Sequence, residues 1–95
     1  MKGYWIAQVD VTDPEQYKEY TTRGPIAFAK YGGRFLARGG RSQAMENGPA
    51  AQRVVVIEFD SYEQAVACYN SPEYQDALGY REGAGVAKIV VVEGV

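Results

Sequence analysis

Arg38 and Glu58 are the two residues of this chain best suited to chemistry. Each is a charged side chain inside a largely apolar run that opens on an arginine, Arg34-Phe35-Leu36-Ala37-Arg38-Gly39-Gly40 and Arg53-Val54-Val55-Val56-Ile57-Glu58-Phe59. A charge inside an apolar strand usually needs a partner, because removing it from water is costly. Side chains alternate faces along a regular strand, so Leu36, Arg38 and Gly40 share one face, and Val54, Val56 and Glu58 share one face of the next strand. If these strands pair through the 41–52 connection, Arg38 comes to lie near Glu58. The functional reading is an anion-orienting guanidinium beside a carboxylate general base, so both are candidate catalytic residues. The plain alternative is a structural ion pair at a sheet edge or dimer interface. With Val55, Ile57 and Phe59 facing the helices, the pair would point away from them.

Tyrosine is abundant, with eight copies in 95 residues. Tyr17, Tyr20, Tyr69 and Tyr74 fall in helical stretches, where they would line a space between helices and sheet. A tyrosine packs its ring while its hydroxyl bonds a ligand, which makes these four the candidate ligand-binding residues. The alternative is a core whose phenols reach solvent, and Trp5 carries the same ambiguity. Other features favour structural roles. Gly32-Gly33 and Gly39-Gly40 match no phosphate-loop pattern and read as a helix stop and a strand-end bend. Ser71-Pro72 is explained by helix capping, and Cys68 reads as a buried, unreactive thiol.

What is missing narrows the chemistry further. There is no histidine and only one cysteine. That removes Ser-His-Asp and Cys-His nucleophilic systems, His-ligated metals, a proximal-His haem and any intrachain disulfide. No metal or other cofactor is expected. Ten basic residues against twelve acidic ones give a net charge of −2. Nucleic acid and anionic membranes are therefore poor partners. No apolar run approaches a membrane span and no leader is visible, so the expected address is the cytoplasm.

These residues must be positioned by a small set of elements. Gly3–Val11 reads as a strand rich in β-branched and aromatic residues. Asp13-Pro14-Glu15-Gln16 opens a helix with a cap, a proline at the first position and a capping-box partner. Tyr17, Tyr20, Ala27, Phe28 and Tyr31 recur at helical spacing, with a kink or short break expected at Gly24-Pro25. Residues 34–40 and 53–59 are strands, separated by a loop around Gly48-Pro49. A second helical region falls into two pieces, about 61–70 and 72–82, capped by Ser61 and Ser71. Ala87 to Glu93 closes the chain as a strand. One domain over residues 1–95 is expected, in the order β-α-β-β-α-β. Val54–Ile57 and Ile89–Val92 are apolar on both faces, yet the helices cover only one. A second copy of the chain is the simplest cover for the other, which predicts a homodimer.

Four segments carry a family resemblance: Gly3-Tyr4-Trp5-Ile6, Tyr31-Gly32-Gly33-Arg34-Phe35-Leu36-Ala37-Arg38-Gly39-Gly40, Val56-Ile57-Glu58-Phe59 and Tyr69-Asn70-Ser71-Pro72-Glu73-Tyr74. In this order they resemble the DUF1330 family of small bacterial proteins across essentially the whole chain. The resemblance implies an α+β, ferredoxin-like fold with an antiparallel four-stranded sheet, of the dimeric α/β-barrel superfamily. That superfamily includes cofactor-independent monooxygenases, lactone isomerases, haem-binding enzymes and a His-Asp type. The absence of histidine sets the last two apart from this chain. Three readings follow: a homodimer binding a small organic molecule between sheet and helices, a cofactor-independent monooxygenase or isomerase, or a non-catalytic structural or ligand-sensing dimer.

Overall fold

The computed structural model describes residues 1–95. Its elements are β1 (Gly3–Val11), α1 (Pro14–Lys30), β2 (Arg34–Arg38), β3 (Arg53–Phe59), α2 (Tyr62–Tyr69), α3 (Pro72–Arg81) and β4 (Gly85–Glu93). The sheet order is β2-β3-β1-β4, with every neighbouring pair antiparallel. This is the ferredoxin-like β-α-β-β-α-β arrangement, with its second helix divided in two.

The caps lie where the short polar residues stand. Asp13, Ser61 and Ser71 accept hydrogen bonds from the amides of Gln16, Gln64 and Tyr74 at 3.3, 3.0 and 3.1 Å. Each thereby satisfies a donor that the first helical turn leaves free. Ser71 also donates to the Cys68 carbonyl at 2.7 Å, which ties the end of α2 to the start of α3. α1 runs without interruption through Gly24-Pro25. Pro25 gives no N–H to the turn before it, yet the helix continues because Tyr20, Ala27 and Phe28 anchor it on both sides. No helix is long and apolar enough to cross a membrane.

Alternation along the strands sends Trp5, Ala7, Val9, Val55, Ile57 and Phe59 into one core beneath the helices. Trp5 is its centre, with the Phe28 and Tyr74 rings edge-on at centroid separations of 5.0 and 4.8 Å. The opposite face of the sheet carries Tyr4, Ile6, Val54, Val56, Val90 and Val92, by the alternation that buries their neighbours. No helix lies over that face, and Val90 and Val92 remain 53% and 46% exposed.

One irregularity decides where the charged residues go. β2 and β3 pair Arg34 with Glu58 and Phe35 with Ile57, then shift so that Ala37 pairs with Val56 and Arg38 with Val55. Leu36 is an extra residue in β2, a bulge that reverses the alternation after it. Arg38 therefore sits on the face of Val55, under the helices, while Glu58 sits on the other. The expected approach of Arg38 to Glu58 does not occur. The strands do pair through the 41–52 connection, but β2 is not regular, and the register sets Arg34 rather than Arg38 opposite Glu58.

Candidate functional site

The helix face of the sheet and α1 do not close completely. Between them runs a cleft walled by Trp5, Ala7, Val9, Val55, Ile57 and Phe35 below and by Tyr17, Tyr20, Thr21, Pro25 and Phe28 above. Its free space, open mouth included, is about 430 Å³. The body is apolar and aromatic. The polar contribution is concentrated in Arg38, Arg53 and Arg81.

Each arginine is held by its local structure. Arg38 lies with its guanidinium carbon 4.3 Å from the Phe35 ring centre, a cation–π contact. Arg53 lies against Gly39, where φ is +72° and an added Cβ would stand 2.5 Å from the Arg53 Nη1. A residue without a side chain is needed there for both reasons. Arg81 donates to the Tyr74 hydroxyl at 3.0 Å and, more weakly, to the Tyr20 hydroxyl at 3.4 Å. The two hydroxyls are 2.8 Å apart and share a hydrogen bond. Burial is the main influence on both phenols and pushes their ionisation above the usual range, Tyr20 the further of the two. At neutral pH they are hydrogen-bond donors, with Arg81 supplying the adjacent charge.

The sequence candidates divide among several places. Tyr17 and Tyr20 line the cleft. Tyr74 is fully buried behind it and reaches it through Tyr20 and Arg81. Tyr69 belongs to a separate groove with Val66, Asn70, Ala87, Ile89 and Val91, where Arg81 also contributes. Arg38 is at the cleft, and Glu58 is not. Glu58 instead accepts from Arg34 at 2.8 Å and from the Tyr4 hydroxyl at 3.2 Å on the outer face. Arg34 also reaches Asp60 at 3.4 Å, and Lys2 reaches Asp60 at 3.3 Å. The Arg34 hydrogen bond is the main influence that holds the Glu58 carboxyl below its usual range. Asp60 is lowered first by its bond to Lys2 and then by Arg34. This network is an ion cluster where β2 begins and β3 ends.

Sequence reasoning missed Arg53, Arg81 and the role of Arg34. Arg34 had a usable signal, since it stands four residues from Arg38 in the same strand and shares Glu58's face if the strand pairs further along. Arg53 and Arg81 sit at element ends, where a charge is ordinary. No group of three or more His, Cys, Asp or Glu is placed to hold a metal ion.

The profile of the domain of unknown function DUF1330 matches residues 2–95. The chain belongs to the DUF1330 family. Among solved structures, the protein RPA0582 from Rhodopseudomonas palustris superposes with a TM-score of 0.75 at 18% identity, over 99% of this chain and 82% of that one. SnoaB from Streptomyces nogalater, a cofactor-independent oxygenase, gives a TM-score of 0.69 at 10% identity, over 99% and 93% of the two chains. A dimeric protein with a ferredoxin-like fold from Bacteroides fragilis gives 0.58 at 15% identity, over 98% and 96%. At these identities the likeness establishes a shared fold. No curated protein matches this DUF1330 member.

Proposed function

We propose that this DUF1330 protein is a homodimer that binds a small organic molecule in the cleft between its sheet and α1. The cleft carries the reading: an aromatic slot with a few convergent polar groups is the usual construction of a small-molecule site. Tyr17, Tyr20 and Arg38 are its ligand-facing groups, and Tyr74 positions Tyr20. The dimer is supported by the uncovered apolar sheet face and by the ferredoxin-like relative described as dimeric. Two sheets placed face to face would bury more than the ~1,000 Å² that a specific interface requires. A cytoplasmic address fits a chain whose single cysteine remains a free thiol.

Cofactor-independent oxygenation is the second reading, and it draws on the donor group formed by Tyr20, Tyr74 and Arg81 beside the slot. Such donors stabilise an oxyanion. The cleft lining contains no carboxylate to take a proton, so this reading requires a substrate that arrives ionised. Glu58 as its general base would have to act from the other face of the sheet.

Two measurements test the proposal. Sedimentation at micromolar concentration should give twice the chain mass, and a monomer there rejects the dimer. Screening aromatic fragments by NMR should shift the Trp5 indole resonance, and a library that leaves it unmoved rejects the cleft as a binding site.

A further inference from the structure

Three guanidinium groups face the cleft, and none has a carboxylate partner. Arg38 rests on the Phe35 ring, Arg53 on Gly39, and Arg81 on two neutral phenols. The cleft lining contains neither Asp nor Glu. Of the seven cations elsewhere, four are ion-paired, Lys2 with Asp60, Arg23 with Glu19, Lys30 with Glu73, and Arg34 with Glu58 and Asp60, while Lys18, Arg41 and Lys88 stand alone along the chain. The chain as a whole is acidic, with a net charge of −2. The positive cleft is therefore a local concentration of charge against the overall balance.

We infer that the cleft takes a planar organic anion, a carboxylate carried on an aromatic or conjugated body. This rests on the small-molecule reading above and names the ligand's chemistry. Charges of one sign around a low-dielectric slot focus the potential within it, and here the uncompensated sign is positive. Guanidinium groups match a carboxylate through paired, parallel hydrogen bonds, and each arginine is already oriented by an uncharged neighbour. The lining beside these guanidinium groups is aromatic and apolar, with Trp5, Phe28, Phe35 and Tyr17, which suits an aromatic or conjugated body. The carboxylate belongs at the Arg38–Arg53 end and the ring against the aromatic lining. Tyr20 and Arg81 then reach a second oxygen on the ring.

The test uses the intact protein and two probes of the same shape, 2-naphthoate and its neutral carboxamide. Calorimetry gives affinity, and the Trp5 indole resonance reports whether the cleft is the site. Naphthoate should bind at least about tenfold more tightly than the carboxamide, the value of one charge-assisted contact. Arg53→Gln and Arg38→Gln should each remove most of that preference. Arg41→Gln, in the exposed loop, makes the same change in net charge and should leave it intact. Equal binding of both probes at Trp5 overturns the anion assignment while the cleft remains a binding site. Naphthoate binding that survives both cleft substitutions places the anion elsewhere and also overturns it. If neither probe moves Trp5, the cleft reading fails and this inference fails with it. Circular dichroism melts of each variant separate loss of fold from loss of binding.

Discussion

The guanidinium of Arg38 lies over the ring of Phe35, 4.3 Å from its centre, although the two residues are three apart in one strand. In a regular strand that spacing puts them on opposite faces. The bulge at Leu36 puts them on the same one. Because Leu36 is left unpaired, Arg38 lies at the mouth of an aromatic cleft and not on the apolar outer face. The register also leaves Glu58 to Arg34, which pairs with it before the bulge.

This geometry predicts a ring-current effect. The Arg38 side-chain protons nearest the guanidinium should resonate upfield of their usual position, and Phe35→Leu should abolish the shift. Deleting Leu36 should leave the shift in place, because Phe35 and Arg38 then stand two apart in a regular strand and keep the same face and the same β3 partners. Loss of the Arg38 shift in the deletion variant would show that Leu36 is not the unpaired residue of β2.

The ion cluster predicts an acid response. Glu58 and Asp60 are both held below their usual carboxyl range in the folded protein, Glu58 chiefly by Arg34 and Asp60 chiefly by Lys2. Their contribution to stability is therefore present above the unfolded values of about 4 and lost as pH falls through the lower folded values. Asp60 is solvent-exposed and Glu58 half-buried, and the effect is modest. Urea midpoints measured from pH 6 to pH 3 should decline, and Glu58→Gln should flatten the lower part of the curve. An equal slope in the variant would mean that the Arg34–Glu58 bond contributes nothing in solution.

The elements of the fold were legible because each carries local signals. Asp13-Pro14, Ser61 and Ser71-Pro72 mark helix starts through their caps, and the division between α2 and α3 falls at Ser71 as its capping chemistry predicts. Val55, Ile57 and Phe59 face the helices as their alternation predicts. The site was less legible because it depends on a bulge, and Leu36 is an ordinary strand residue with no sequence mark of its own. The arginines were hidden for a related reason. Arg53 and Arg81 acquire meaning only when the ends of β3 and α3 meet across the core. Tyr20 and Tyr74, 54 residues apart in sequence, were visible as tyrosines but not as partners.

Cys68 should resist modification. It is completely buried, its thiol donates to the Ala27 carbonyl at 3.7 Å, and burial pushes its pKa up to about 12. Thiolate is the reactive form, so both access and ionisation oppose reaction in the folded state. A disulfide reagent at pH 8 should label the native protein only at the rate of unfolding, and the urea-unfolded protein within its mixing time. Rapid labelling of the native protein would show that α1 and α2 separate more readily than their packing implies.

The Tyr20–Tyr74–Arg81 network should be the least tolerant polar feature of the core. Tyr74 is fully buried, and its hydroxyl joins both Tyr20 and Arg81. Tyr74→Phe leaves the Tyr20 hydroxyl and the Arg81 guanidinium without their shorter partner, at a cost of about 1–3 kcal/mol. Tyr20→Phe should cost less, because the 3.0 Å bond from Arg81 to Tyr74 survives it. The double variant should cost less than the sum of the two, since both singles break the same hydrogen bond. The network also fixes an alkaline response. The folded state holds both phenols protonated beyond their usual range, burial being the first cause, so their contribution is present below the unfolded value of about 10 and lost as pH rises above it. Absorbance at 295 nm should therefore show a late tyrosinate phase that coincides with loss of the far-ultraviolet circular dichroism signal. The phase should disappear in the double phenylalanine variant. Ionisation of these two residues before any loss of helix would mean that the phenols are open to water, and the cleft would then be wider and wetter than its aromatic walls describe.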